Sequence, residues 1–398
     1  MILEPRRSKI LLLFSTDRLD RMLAKGNVWY VQHYESYFDR IYVAYLFGGP
    51  IPIERRGRTV LISIGSGGKL TNLVMAPWKI YSLAKRVHSG YYLTADIFFS
   101  WWTALLLRIG LGAKIALMPV CMPTQIYASA SGSITRYLPI FIEKIFTKLS
   151  FATADRVLTG KNISSYVEWL SKLAATKGKL VVIDTLPEEL PSIDFYSVLE
   201  KIRETRTHAF DRAEKILLYV GRLHSDKLLF DVLDMASQLA AMGVVFKVVI
   251  VGDGEERANL ELRAGELEIS DLVVFEGAKQ SRQLEQYYAV ATAFISPLTG
   301  TALREAALSG VPIVAYDCDW VKGVFEDNYS ALLVEYRNTR MLATRVAELL
   351  ASPQLQAILS ANAMNLANFQ WGAPSARLAL EQAFGTISER KKYTGTQT

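Results

Sequence analysis

Cysteine is scarce in this chain, since only Cys121 and Cys318 occur among its 398 residues. Two cysteines cannot build a disulfide scaffold, and they cannot supply a four-cysteine zinc site. Long apolar runs are also missing. The most apolar stretch, residues 97–118, is interrupted by Arg108 and Lys114, whereas a membrane-spanning helix needs about 20 largely uncharged residues.

A secretory signal is not visible at the start of the sequence. Arg6, Arg7 and Lys9 precede an apolar run, but that run covers only residues 10–14 and is too short for a signal. We therefore expect a cytoplasmic protein, with a peripheral site on the inner face of the cell membrane as a further expectation.

Charge is distributed unevenly. Residues 1–200 hold 24 of the 45 Lys and Arg and 15 of the 39 Asp and Glu, a net of +9, and the remainder carries −3. A basic half indicates an anionic partner or surface. The alternative is that the excess is spread as solubilising charge. No nucleic-acid-binding module or continuous basic stripe is recognisable, so nucleic acid is not an expected partner.

Apolar strand-like runs alternate with helical patterns in both halves, which predicts parallel α/β sheets. The strands predicted in the first half are 9–14, 40–46, 59–64, 114–119, 156–159 and 180–183, with helices at 70–87, 100–109 and 134–149. Those predicted in the second half are 216–220, 246–251, 272–275, 293–296 and 312–315, and a short apolar run follows at 331–334.

The polar segment around Pro187 and Pro191 interrupts this alternation and predicts an interdomain linker over 186–213. The fold class that follows is two Rossmann-like, doubly wound α/β domains, 1–185 and 214–370, facing a central cleft. Residues 371–398 are predicted to form a helix that returns to the first domain, followed by a frayed tail. Such sheets bind ligands at the carboxyl ends of their strands.

Two motifs at predicted strand ends suit a diphosphate. Gly221 and Arg222 follow the strand 216–220, and Lys227 begins the next helix; Arg offers a planar fork and Lys a point charge. The turn Thr299-Gly300-Thr301 leads into a helix that holds Glu305. A glycine turn exposes backbone N–H groups at a helix N-terminus, where the dipole favours a phosphate.

The pair Gly252 and Gly254 also follows a strand. It lacks the third glycine of a dinucleotide-binding fingerprint, and it lies deep in the chain, which disfavours a dehydrogenase. We interpret it as a tight turn at the edge of the ligand site. An Asp-x-Asp motif is missing after the strand ends, so no essential metal is expected, and no cofactor besides the donor substrate.

In this order and spacing, the motifs of residues 216–334 resemble the donor-binding half of the retaining glycosyltransferases of family 4, which have the GT-B fold. The resemblance implies that 214–370 binds a nucleotide-diphosphate sugar and that 1–185 takes the acceptor. Arg222 and Lys227 would hold the donor phosphates and stabilise the leaving diphosphate as catalytic residues. The implied donor-binding residues are Gly221, Gly252, Thr299, Gly300, Thr301 and Glu305, with Glu305 accepting the ribose hydroxyls.

Three positions depart from the family pattern. Pro297 replaces a Glu eight residues before Glu305, Leu228 replaces the glycine after Lys227, and no His follows the strand 114–119. Pro297 and the missing His leave open a non-catalytic nucleotide-sugar-binding or scaffold subunit of a glycan-assembly complex. A sugar-nucleotide epimerase is a weaker alternative. His33, His88 and Cys121 have no assigned role.

Basic and aromatic residues lie close together in the first half, in the helix of Trp78, Lys85 and Arg86 and in the next helix with Trp101 and Trp102. Such helices suit an anionic bilayer surface. The resemblance implies a lipid-linked or glycan acceptor at the cytoplasmic membrane face. The alternative is that the aromatic residues are core and the cations are solvated.

Overall fold

The structure is a computed structural model that divides into two compact units. One comprises Met1–Glu188 with Ala376–Thr398, and the other Glu189–Ser375. The residues that the structure describes are 9–20, 23, 27–47, 51–65, 69–95, 100–118, 145, 148–160, 172, 176–183, 190–191, 193–206, 215–372, 378, 380–381 and 384. The helix predicted over 134–149 lies almost wholly outside this set, as does Cys121.

The first unit is built on an eight-stranded sheet in the order β3-β4-β2-β1-β5-β6-β7-β8. All neighbouring strands are parallel except the β3–β4 hairpin. The strands are β1 (Ile10–Arg18), β2 (Arg40–Phe47), β3 (Glu54–Arg56), β4 (Thr59–Ser63), β5 (Tyr91–Thr94), β6 (Lys114–Leu117), β7 (Arg156–Gly160) and β8 (Leu180–Ile183). The helices bounded within its described residues are α1 (Lys69–Val87) and α2 (Ser100–Leu111), and Asn27–Ser36 forms a 3₁₀ helix.

Both faces of the central strand β1 are buried, which explains its unbroken apolar run. Leu11 and Leu13 pack on one face with Tyr34 and Phe38, and the alternate residues of β1 pack on the other face with α1 and α2. Successive side chains of a strand point to opposite faces, so residues 11–14 of β1, which are covered on both sides, are all apolar. The tail residue Phe384 packs edge-on against Phe38 within this unit.

The second unit is built on a six-stranded, wholly parallel sheet in the order β11-β10-β9-β12-β13-β14. The strands are β9 (Lys215–Val220), β10 (Phe246–Val251), β11 (Val273–Gly277), β12 (Ala293–Ser296), β13 (Ile313–Tyr316) and β14 (Leu332–Val334). The helices are α3 (Ile193–Tyr196), α4 (Leu199–Arg206), α5 (Leu229–Ala241), α6 (Arg257–Glu266), α7 (Glu285–Val290), α8 (Thr301–Leu308), α9 (Thr339–Ala351) and α10 (Pro353–Trp371).

The strand order of this sheet reverses at β9. Strands β10 and β11 extend from β9 to one side, and β12, β13 and β14 extend to the other, with Phe294 of β12 paired to Leu218 of β9. Open α/β sheets bind ligands beyond the carboxyl ends of the strands at such a reversal. The predicted fold class, with two Rossmann-like α/β domains, is confirmed, and the reversal positions the candidate site.

Helices α3 and α4 lie inside the segment that the sequence predicts as a linker, and they pack within the second unit. The Arg203 guanidinium donates to the Leu308 carbonyl at the end of α8. Arg206 donates to the Tyr288 and Ala291 carbonyls at the end of α7, and burial lowers the pKa of Arg206 to about 9. Both guanidinium groups therefore satisfy carbonyls that a helix end leaves unpaired.

None of the helices in the described ranges combines the length and the apolar composition needed to cross a membrane.

Candidate functional site

Three strand ends form the edge of the second sheet where the predicted site residues lie. Gly221 and Arg222 follow β9, Gly252 follows β10, and the turn at Gly300 follows β12. Because β9 pairs with both β10 and β12, these three loops are neighbours. The structure thus brings the predicted cation pair and the predicted glycine turn to the same sheet edge, at the strand-order reversal.

The loops after β9 and β10 are held together by backbone hydrogen bonds. The Gly221 amide donates to the Val251 carbonyl, and the Leu223 amide donates to the Asp253 carbonyl, each at 3.0 Å. A Cβ added to Gly252 would lie 1.8 Å from the Gly221 oxygen, and one added to Gly254 would lie 2.2 Å from the Leu223 oxygen. Both glycines are therefore required by close backbone approach.

Gly252 was predicted to bind the donor, and the structure gives it a packing role. Its backbone φ is 149°, and its amide donates to the Gly277 carbonyl at 2.9 Å. Because that N–H is already bonded, any contribution of Gly252 to a ligand would come through the loop that it shapes.

Arg222 and Lys227 converge on one carboxylate, that of Asp226. The Asp226 Oδ2 atom lies 3.1 Å from the Lys227 Nζ and 3.9 Å from the Arg222 Nη2. The Arg222 side chain is 68% exposed and the Lys227 side chain 24% exposed. Two cations gathered around one anionic oxygen are suited to a phosphate, which offers oxygens of the same charge.

His224 holds the same carboxylate from its other oxygen. Its Nδ1 lies 2.7 Å from the Asp226 Oδ1, and its Nε2 lies 3.1 Å from the Glu255 Oε1. Burial raises the pKa of Asp226, but hydrogen bonds from Lys227 and His224 outweigh it and keep that pKa below its ordinary value. Sequence reasoning missed His224 and Asp226, although their position between Arg222 and Lys227 was a usable signal.

The turn before α8 leaves its N-terminus open. Gly300 is the N-cap residue, and no described side chain caps the helix there. Thr299 is buried, with its hydroxyl 2.5 Å from that of Ser296. Backbone N–H groups at an uncapped helix start, together with the helix dipole, favour an anion. The hydroxyl of Thr299 is engaged in the fold, so the turn offers backbone donors.

Glu305 is almost completely buried, with 6% of the residue exposed. Its Oε2 accepts a hydrogen bond of 2.9 Å from the Tyr288 hydroxyl. Burial raises the pKa of Glu305 to about 7, and the Tyr288 hydrogen bond opposes this only in part. Near neutral pH this carboxyl can therefore exist as an acid or as a carboxylate. Tyr288 precedes it by 17 residues and was not predicted.

Arg304, next to Glu305, contacts two indole rings. Its guanidinium carbon lies 4.4 Å from the Trp320 ring centroid and 5.6 Å from that of Trp371. Cation–π contacts of this kind stabilise a desolvated guanidinium. They tie α8 to the loop of Trp320 and to α10, which fixes the helix that carries Glu305.

The remaining candidates are placed as follows. His33 is buried in the 3₁₀ helix of the first unit, and His88 is exposed just after α1 with a φ of 55°. Cys318 is half-buried after β13. Within the described ranges, no three His, Cys, Asp or Glu residues are grouped to hold a metal ion.

The second unit matches a known protein family. Residues 200–366 match the family model described as "Glycosyl transferases group 1". The match runs from α4 into α10 and includes every predicted site residue. Assignment to family 4 in particular stays a prediction.

Two similar relatives are bacterial enzymes. Alpha-D-kanosaminyltransferase of Streptomyces kanamyceticus is 27% identical over 172 residues, which is 42% of this chain and 43% of the relative. Alpha-monoglucosyldiacylglycerol synthase of Streptococcus pneumoniae is 29% identical over 162 residues, which is 39% of this chain and 36% of the relative. The chain thus matches less than half the length of either relative.

Solved structures share the fold over nearly the whole chain. HepE of Anabaena in complex with UDP and glucose has a TM-score of 0.68 at 17% identity, covering 96% of this chain and 100% of HepE. At this identity the similarity shows the fold, which is two Rossmann-like domains of the GT-B class.

Proposed function

We propose that this protein is a retaining glycosyltransferase. It moves a sugar from a nucleotide-diphosphate sugar to a lipid-linked or glycan acceptor at the cytoplasmic membrane face. The observation that carries the proposal is that Arg222 and Lys227 meet at one carboxylate oxygen and that their loop and the uncapped α8 N-terminus follow neighbouring strands at the strand-order reversal of the second sheet. The family match of residues 200–366 supports the reaction class.

In the proposed reaction the protein acts mainly by stabilising the leaving diphosphate. The bond between the sugar and the diphosphate oxygen breaks, and the acceptor oxygen forms the new glycosidic bond on the same face. The acceptor's proton passes to the leaving diphosphate. Arg222 and Lys227 neutralise the negative charge that develops there, which lowers the barrier without a protein nucleophile or a metal.

Glu305 is proposed to accept the ribose hydroxyls as a carboxylate. Its burial supports such a role, because a hydrogen bond to a desolvated carboxylate is stronger than one in water. The same burial raises its pKa to about 7, so ribose binding is expected to strengthen as the pH rises through that value. Tyr288 orients the carboxyl by donating a hydrogen bond to the Glu305 Oε2 atom.

The membrane part of the proposal is supported by one face of α1 and α2 in the first unit. Trp78 is 51% exposed and Trp102 36% exposed, with ring centroids 6.1 Å apart. Val74 is exposed one turn before Trp78, and Lys85 lies exposed further along the same face. Exposed indoles beside cations suit an anionic bilayer surface. The name of the pneumococcal relative specifies a diacylglycerol, which motivates a lipid-linked acceptor.

Donor consumption tests the proposal. The purified protein is incubated with UDP-, GDP- and ADP-sugars, with and without a bacterial lipid extract, and released nucleotide is quantified by chromatography. We expect release from one donor that rises with lipid. Arg222→Ala should reduce it at least tenfold while leaving the melting temperature unchanged, since this side chain is mostly exposed. Nucleotide binding without release from any donor would contradict the transferase assignment.

A further inference from the structure

The Asp226 carboxylate lies where a ligand phosphate would be held. Within the described part of the chain, it is the one acidic group paired with Arg222 or Lys227, and a single oxygen, Oδ2, serves both. An anion that takes these two cations must displace this oxygen or share them with it. All three side chains are partly exposed, and exposed ion pairs are individually weak, so displacement is easy.

Displacement from the cations does not release the carboxylate from the site. His224 holds the other oxygen at 2.7 Å, and the imidazole is anchored in turn by Glu255 at 3.1 Å. Once a diphosphate occupies the two cations, a negative charge therefore stays beside it. The carboxylate and the bound phosphate carry charges of the same sign and repel one another.

The backbone of the loop that carries the two cations is held by hydrogen bonds that do not involve this carboxylate. The Lys227 amide donates to the His224 carbonyl, and the Leu223 amide and carbonyl bond to Asp253 and Glu256. Removing the charge of Asp226 should therefore leave Arg222 and Lys227 in position. Removing the Asp226 charge should therefore strengthen phosphate binding, since the two cations lose a competing anion and keep their positions.

We propose that Asp226 is an internal competing anion that weakens binding of the leaving nucleoside diphosphate and so promotes its release. The inference rests on the proposed function for the identity of the ligand. The Asp226 carboxylate, which His224 holds in place, competes with phosphate for Arg222 and Lys227.

The test measures binding of inorganic pyrophosphate and of UDP by isothermal titration calorimetry, in wild type and in Asp226→Asn. The amide keeps the size of the side chain and removes its charge. We expect both ligands to bind about threefold to tenfold more tightly to Asp226→Asn, as removal of one nearby exposed charge implies. Uridine, which carries no phosphate, should bind wild type and Asp226→Asn equally.

Glu255→Gln is the matched control, because it removes one charge from the same network without touching either cation. We expect its pyrophosphate affinity to change less than twofold. Unchanged or weaker pyrophosphate binding in a folded Asp226→Asn variant overturns the inference, as does pyrophosphate binding that is absent from wild type and variant alike. Tighter pyrophosphate binding without any sugar transfer would support anion competition and count against the transferase function instead.

Discussion

Burial of the Glu305 carboxyl should make the stability of the second unit depend on pH. Its pKa is about 7 in the folded protein against an ordinary value of 4.5, so the folded state binds this proton more tightly than the unfolded state does. The stabilisation is fully present below pH 4.5 and is lost as pH rises through about 7. At 1.36 kcal/mol per pKa unit, the loss amounts to roughly 3 kcal/mol.

Glu305→Gln isolates this effect. The glutamine carbonyl can still accept from Tyr288, but the side chain no longer titrates. The free-energy cost of burying the glutamine amide is the same at every pH, so it does not affect how the unfolding free energy changes with pH. We therefore expect the variant to lack the wild-type fall in unfolding free energy between pH 5 and pH 8. For a domain of this size, roughly 3 kcal/mol corresponds to about 6–12 °C in melting temperature.

The assay is thermal unfolding followed by circular dichroism in buffers from pH 5 to pH 8.5. Glu348→Gln serves as the control, because that carboxylate lies in the same unit but is 48% exposed, and its removal should leave the slope unchanged. Parallel pH dependence in wild type and Glu305→Gln would refute the reasoning. It would mean that the Glu305 carboxyl is hydrated or paired in the folded protein.

Three further predictions concern catalysis, packing and the membrane. Arg222→Ala should lower kcat by at least tenfold and raise KM less, because the guanidinium acts on charge that develops in the transition state; steady-state kinetics measure both, and an effect on KM alone would contradict this. Gly252→Ala should lower the free energy of unfolding by several kcal/mol, since its Cβ would meet the Gly221 oxygen at 1.8 Å. Gly265→Ala in α6 is the control and should be neutral or mildly stabilising. Urea unfolding compares the two variants, and equal midpoints would contradict the packing argument. Trp78→Ala should reduce co-sedimentation with anionic vesicles at low salt, and wild-type binding by this variant would remove the α1 face from the membrane proposal.

Local sequence was sufficient for most strands and for the order of the site motifs. The run Val248-Val249-Ile250-Val251 is apolar and β-branched and ends at a glycine, so β10 was predicted with its observed bounds. Strand β5 was not predicted, although other strands of four residues were; its place in the sheet is set by pairing with β1 and β6, which local sequence does not show. The polar composition of α4 favours a linker when the sequence is taken alone. In the structure its two guanidinium groups donate to carbonyls on α8 and α7. Those partners are distant in sequence, so local composition could not show this packing.

The sequence by itself determined two α/β domains and the presence of Arg222, Lys227 and Glu305 at strand ends and a helix start. Those features follow from local periodicity, glycine turns and motif order, which depend on neighbouring residues. Only the tertiary structure decided that one oxygen of Asp226 serves both cations and that Tyr288 meets a buried Glu305. Pairing and burial depend on how loops and helices pack, and the electrostatics of the site arise from that packing.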